Sequence, residues 1–278
     1  MIKKDFVSIM KICVLVLLVM LLCYVPGCKK SSPEDDNESS VQPSVSENPT
    51  ASEHPTASEH PSTEPTVTKE TTAEESTVPA GMVPIEIKLP KPMFVGTPQS
   101  TKVANLEKPL GHPRPPFLAP AGTTNVALGK PVASSDEEPI IGDIEMITDG
   151  DMEAADGSYV ELGPFRQDVT VDLEAVHEIY AILVWHYHKQ ARVYYDVIVQ
   201  VADDPDFISN VRTLFNNDID NSAGIGVGED KHYTETNEGK LIEAKGVKAR
   251  YVHLYSNGNT GNDLNHYIEV AVYGRPVN

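Results

Sequence analysis

The residues best suited to chemistry lie in the run "ITDGDMEAADGSYVEL" at positions 147–162. Asp149, Asp151 and Asp156 fall within eight positions there, with two Asp-Gly pairs and a hydroxyl at Ser158. A hard divalent cation such as Ca2+ takes about six to eight oxygen ligands from carboxylates, hydroxyls and backbone carbonyls. Glycine lets a chain turn its carbonyls inward, so a loop of this composition can supply such a shell. Asp-Gly pairs also make plain turns. The spacing alone leaves both readings open.

A second acidic run, "NNDIDNSAGIGVGED", sets Asp218, Asp220, Ser222 and Glu229 at relative positions 1, 3, 5 and 12. That is the ligand spacing of an EF-hand loop, without its glycine at position 6 and with strand patterns on either side. Phosphate is a poor ligand for it, because the loop holds no Lys or Arg. A third group is "WHYHKQARVYYD", from Trp185 to Asp196, where His186, His188 and Arg192 alternate with aromatic rings. His186 and His188 share a strand face, and would need a further ligand to hold zinc. The run "SNGNTGNDLNHY" adds Asn259 and Asn262. No Gly-x-Ser-x-Gly elbow, His-Glu-x-x-His pair or phosphate loop occurs in the chain. The sequence therefore points to binding rather than to an enzyme.

Strands must position these residues. After Gly122, β-branched and alternating runs recur between Gly, Asn, Asp and Pro, with little helical periodicity. Strands are predicted at 169–173, 179–186, 196–202, 213–215, 240–243, 251–255 and 268–273. About eight short antiparallel strands make a sandwich or barrel. Residues 122–278 are enough to bury one core.

The rest of the chain reads as delivery and display. Lys3, Lys4 and Lys11 precede an apolar run from Ile12 to Val25. That run is too short to span roughly 30 Å of hydrocarbon as a helix, and fits a secretory signal peptide over 1–27. "VPGC" resembles a bacterial lipobox, with Val25, Gly27 and Cys28 matching and Pro26 departing from the pattern. The resemblance implies lipidation at Cys28 and an exported protein anchored to the cell envelope. Lys29 after the cysteine favours the outer membrane or cell surface. Residues 28–80 form a Ser/Thr/Pro/Glu linker that cannot offset its conformational entropy by burial, and are expected to be disordered. They include the repeat "PTASEH", with His54 and His60, read as a polar spacer. Residues 81–121 read as a proline-rich arm; Ile85, Ile87 and Leu89 alternate with Glu86 and Lys88. An arm over 83–95 is expected to dock on the following domain or on a partner.

Charge and cysteines narrow the partners. From Gly122 onward there are 27 Asp and Glu against 11 Lys and Arg, a net charge of −16. Such a surface repels nucleic acid and anionic membranes, leaving the lipid anchor as the expected membrane contact. Cys13, Cys23 and Cys28 all precede the domain, so no disulfide staples it.

The series "NVALGKPVASS", "ITDG", "VTVDL", "VIVQVADDPDF", "ARYVHLYS" and "YIEVAVYGRP" runs in this order from Asn125 to Pro276. It resembles the discoidin, or coagulation-factor type C, domain of the galactose-binding-like superfamily, which includes many bacterial carbohydrate-binding modules. The resemblance implies an all-β, eight-stranded antiparallel jelly-roll sandwich with a ligand site in the loops at one end. Asp168 stands where family members usually have Trp, and Glu174 where Gly is common. The terminal cysteine pair of animal members is absent. The resemblance further implies a structural Ca2+ held by Asp149, Asp151, a hydroxyl here supplied by Ser158, and Glu269 from the last strand, with Asp156 replacing or extending the set. It also implies a carbohydrate site, here His186, His188, Arg192, Asn259 and Asn262. The expected function is a non-catalytic envelope lipoprotein that binds glycans. The alternative is a structural or adhesion module that binds another envelope protein.

Overall fold

Val169, Val171 and Leu173 are buried while their sequence neighbours Thr170 and Asp172 are half-exposed. That alternation drives the chain into a strand, because β-branched side chains pack well on a pleated, half-buried surface. The computed structural model describes residues 79–93 and 102–277. The signal peptide, Cys28, the histidine-bearing repeat, and Phe94 and Val95 lie outside the described residues.

Eleven strands follow in order. They are β1 (Met82–Pro84), β2 (Leu118–Pro120), β3 (Thr124–Asn125), β4 (Val132–Ser134), β5 (Val160–Pro164) and β6 (Gln167–Trp185). Then come β7 (Ile198–Ala202), β8 (Arg212–Asn216), β9 (Lys240–Ser256), β10 (Leu264–Tyr267) and β11 (Glu269–Pro276). Every pairing between strands is antiparallel. The main sheet runs β3-β11-β6-β9-β7-β8, with β4 also on β6, and β5 pairs with β10 separately. The all-β antiparallel expectation holds. A 3-10 turn at Ile144–Thr148 precedes the first acidic loop.

The predicted strand limits differ in one informative way. Two predicted strands join in β6, and two more join in β9. Their mutual register shifts between Asp172 and His177, and again between Ile179 and Ala181. Glu174 sits at this interruption with φ 64, a left-handed conformation that glycine adopts more easily. Bulges of this kind bend a strand without ending it. Both halves of β6 consequently feed one core, which holds Val169 and Val171 together with Ile182 and Val184.

The opposite face of β6 has its own cover. Ala181, Leu183 and Trp185 form a second cluster with Ala271 and Tyr273, against which Ile85, Ile87 and Phe117 pack. The arm is held there by the β1–β2 pair, by the Ile85 amide donating to Phe117 O at 2.8 Å, and by Asn237 Nδ2 donating to Pro90 O at 3.0 Å. Burial on both faces explains why "AILVW" is continuously apolar rather than alternating.

Asn265 locks the loop end of the sandwich. Its side chain is buried; Nδ2 donates to Gly163 O at 2.9 Å and Phe165 O at 2.8 Å, and Oδ1 accepts from the Gly258 amide at 2.9 Å. Asn265→Ala removes all of these bonds and leaves buried backbone groups unpaired, so it should destabilise the domain by about 2–4 kcal/mol. Urea denaturation checks this, and a change within about 0.5 kcal/mol would show that the clamp is idle.

Candidate cation and ligand site

The 3-10 turn buries Ile147 and Thr148, and Thr148 Oγ1 donates to Lys130 O at 2.8 Å. The chain therefore leaves the core at Asp149, Gly150 and Asp151 in a set direction. Gly150 has φ 89, and a Cβ there would meet Leu128 Cδ1 at 2.9 Å, so this close turn needs glycine. Its amide donates to Glu269 Oε2 at 3.0 Å. Glu269, the first residue of β11, is 1% exposed, and its Oε1 has no partner among the described residues. Burial pushes its carboxyl up to about 8; the Gly150 amide opposes this, while the charges of Asp149 and Asp151 add to it. Asp149 Oδ1 accepts the Asp151 amide at 2.7 Å, and Asp151 Oδ1 accepts the Glu153 amide at 3.0 Å. Asp149 and Asp151 act on Glu269 through their charge, but these three carboxylates are not among the described residues whose ligand atoms all lie within 4.8 Å of one another; Asp196, Asp218 and Asp220 are.

Asp156 and Ser158 do not join this group. Asp156 is fully exposed and pairs with Lys189 Nζ at 2.7 Å; Ser158 closes a turn by donating its amide to Ala155 O at 2.8 Å. Just upstream, Ala154 is buried in the second apolar cluster with φ 51.

The residues expected to hold a sugar also divide. His186 is fully buried, with Nδ1 at 2.7 Å from Glu235 Oε1 and its ring stacked 4.3 Å from Tyr194. His188 is fully buried as well, with Nε2 at 2.9 Å from Met152 O. Neither reaches the surface, so neither is placed to contact a ligand there, and His186 Nε2 and His188 Nδ1 are buried without a partner among the described residues. Asn259 is also buried and spends its amide on its own loop, donating to Asn262 Oδ1 at 2.8 Å and Leu264 O at 2.9 Å and accepting from the Gly261 amide at 2.8 Å. It shapes the loop rather than presenting a donor.

Arg192 and Asn262 are half-buried and do reach the surface; Arg192 Nε lies against Gly261, the residue before Asn262. The Arg192 guanidinium lies 4.9 Å from the Tyr187 ring centroid. Its Nε and Nη2 donate to Gln190 Oε1 at 3.3 and 3.2 Å, and its Nη1 has no partner among the described residues. Tyr187 in turn sits 5.0 Å from Tyr159. Tyr159 was missed from sequence; the available signal was an aromatic ring placed directly after a polar, Gly-containing loop.

His266 underlies this face. Tyr194 OH lies 3.0 Å from its Nδ1, and Glu161 Oε2 lies 2.9 Å from its Nε2. Burial first, then the neighbouring Arg192 and His186, push His266 down to about 3, while burial raises Glu161. The ring is therefore neutral near neutral pH, with Nε2–H donating to Glu161 and Nδ1 accepting from Tyr194. The acidic loop buttresses this surface through the His188–Met152 and Lys189–Asp156 contacts.

The second acidic loop departs from EF-hand order. Asp218 and Asp220 converge with Asp196, whereas Glu229 is exposed and stays outside the group.

No family model and no curated protein matches the chain. Solved structures similar to it include carbohydrate-binding modules. One is CpGH89CBM32-4 from Clostridium perfringens, solved with GlcNAc-α-1,4-galactose: 16% identity, 56% of this chain, 96% of that chain, TM-score 0.41. Another is a fucose binding module from Streptococcus pneumoniae: 16% identity, 54% of this chain, 97% of that chain, TM-score 0.38. A family 89 glycoside hydrolase from Clostridium perfringens is 17% identical over 55% of this chain, with a TM-score of 0.40, and this chain spans 15% of its length. Likenesses at this level carry no function to this chain.

A histidine held below its ordinary value favours the fold while neutral, so its contribution is full above the unfolded pKa and is lost as pH falls. His266 should therefore destabilise the domain as pH drops from 6.5 toward about 3. His266→Gln should flatten the stability profile across that window. Equal slopes for both proteins in urea melts would remove His266 from the acid response.

Proposed function

We propose that this chain is a non-catalytic, lipid-anchored envelope protein whose β-sandwich binds carbohydrate and carries a structural Ca2+. The observation that carries the reading is the half-exposed face of Tyr159, Tyr187 and Arg192 on the rim built by the first acidic loop. Sugars set C–H faces against aromatic rings and bond their hydroxyls to planar polar groups. An arginine laid over a tyrosine is preorganised for this, because little side-chain freedom remains to be lost. Carbohydrate is the ligand named for the modules above, but the reading for this chain rests on its own geometry.

Glu269, Asp149 and Asp151 would hold the cation, which supplies positive charge to ionised carboxylates and ties the acidic loop to β11. That loop in turn supports the chain around His188 and Lys189. The Cys28 lipid anchor and export to the cell surface remain part of the proposal on the strength of the N-terminal pattern.

Arg192→Ala and Tyr187→Ala should each weaken glycan retention by at least about tenfold, or about 1.4 kcal/mol. A glycan array and polysaccharide pull-downs read this, and retention no higher than for an unrelated acidic protein would remove the carbohydrate reading. EDTA should lower the melting temperature of the parent and have a smaller effect on Glu269→Gln. An unchanged parent melt would remove the cation.

A second reading, docking to an envelope protein, is favoured by Phe165. Its ring is 80% exposed at the β5–β6 turn. A single exposed ring is ordinary on a protein surface, and at this loop tip it would give such a partner one apolar contact. Phe165→Ser should then abolish recovery of a stoichiometric crosslinked partner from intact cells while leaving glycan retention unchanged.

A further inference from the structure

We propose that Asp196, Asp218 and Asp220 bind a second divalent cation, at a site separate from Glu269. The topology builds it. β7 and β8 pair with Ile198 opposite Asn216. Asp196 stands two residues before one strand and Asp218 two residues after the other, so antiparallel pairing delivers both to the same end of the hairpin. Asp220 follows on the same loop.

One carboxylate oxygen from each aspartate lies within 4.8 Å of the others. Asp218 is 0% exposed and Asp196 7%. Neutral donors orient these groups. Asp196 Oδ2 accepts from Ser222 Oγ and from Asn257 Nδ2, each at 2.7 Å. Asp218 accepts the amides of Ser222 and Ala223, each at 3.0 Å. None of these supplies charge, and among the described residues no Lys or Arg pairs with any of the three acids. Like charges this close, and partly removed from water, require a counter-ion or a proton.

An independent group points the same way. His232 is 5% exposed and lines a cavity of about 410 Å³ together with Asp196, Asp220, Ser222 and Asn257. Its Nδ1 is buried and has no partner among the described residues. Burial holds this imidazole below its ordinary value, although the charges of Asp196 and Asp220 and the Ala104 carbonyl pull the other way. An unpartnered imidazole nitrogen in the wall of that cavity can face a cation or its bound water. Lys102 lines the cavity too but makes no ion pair with the three acids. Three carboxylates and a nearby hydroxyl form a hard donor set, and one imidazole is too few for a zinc shell, so the cation is of the Ca2+ class.

Equilibrium dialysis of the full chain against radiolabelled Ca2+ tests this. The Glu269→Gln chain should still bind one Ca2+, and Asp218→Asn added to it should abolish uptake. If Asp218→Asn perturbs folding by circular dichroism, Asp220→Asn serves instead: its carboxylate is at the surface, and it should weaken uptake by at least about tenfold with the fold intact. Absence of Ca2+ uptake in Glu269→Gln, or uptake unchanged by both aspartate variants, overturns the proposal. Loss of Ca2+ only at Glu269 would bear on the structural cation proposed above and leave this site standing.

Discussion

The β6–β9 pairing is the constraint from which the rest of the molecule follows. The two strands bend together at a shared bulge, close one core with their two halves, and send their ends to the loops that matter. β6 ends at Trp185 and opens into the segment carrying Tyr187 and Arg192; β9 ends at Ser256 and opens into the segment carrying Asn259 and Asn262. β11 then pairs with β6 so that Glu269 stands opposite Trp185. That register sets a buried acid at the base of the rim on which aromatic and arginine groups gather.

Electrostatics gives the domain its character. Most of its acids are solvated and keep the surface negative, but a few are buried where no basic side chain reaches them. Hydrogen bonds from backbone amides and hydroxyls orient these acids without cancelling their charge. Uncompensated burial of this kind is expensive, and it recurs at Glu269 and at Asp218.

Much of the architecture was legible because burial leaves a period in the sequence. The strands at 169–173 and 268–273 announce themselves through β-branched residues, and the docked arm through Ile85 and Ile87. The bulge was not legible: residues 174–178 fall between two predicted strands, and only partner pairing shows that they stay within one. His186 and His188 show another limit, since alternation tells which residues share a face but not which face is inward. Asp156 pairs with Lys189 at the surface, a contact that local spacing does not announce. Asp196 could not be tied to Asp218 because strand pairing, not local spacing, brings them together. Glu269 was reachable only through resemblance, since a lone glutamate in an apolar strand has no periodicity of its own.

The docked arm carries a consequence for where this folding unit begins. Leu183, Trp185 and Tyr273 rest under a lid contributed by residues upstream of the recognisable motifs. A fragment cut at 122 would strip that lid and bare a stripe of oily sheet, inviting self-association through the uncovered face. The strand pair that begins at Met82, with Ile85, Ile87 and Phe117, is thus part of the wall of this sandwich.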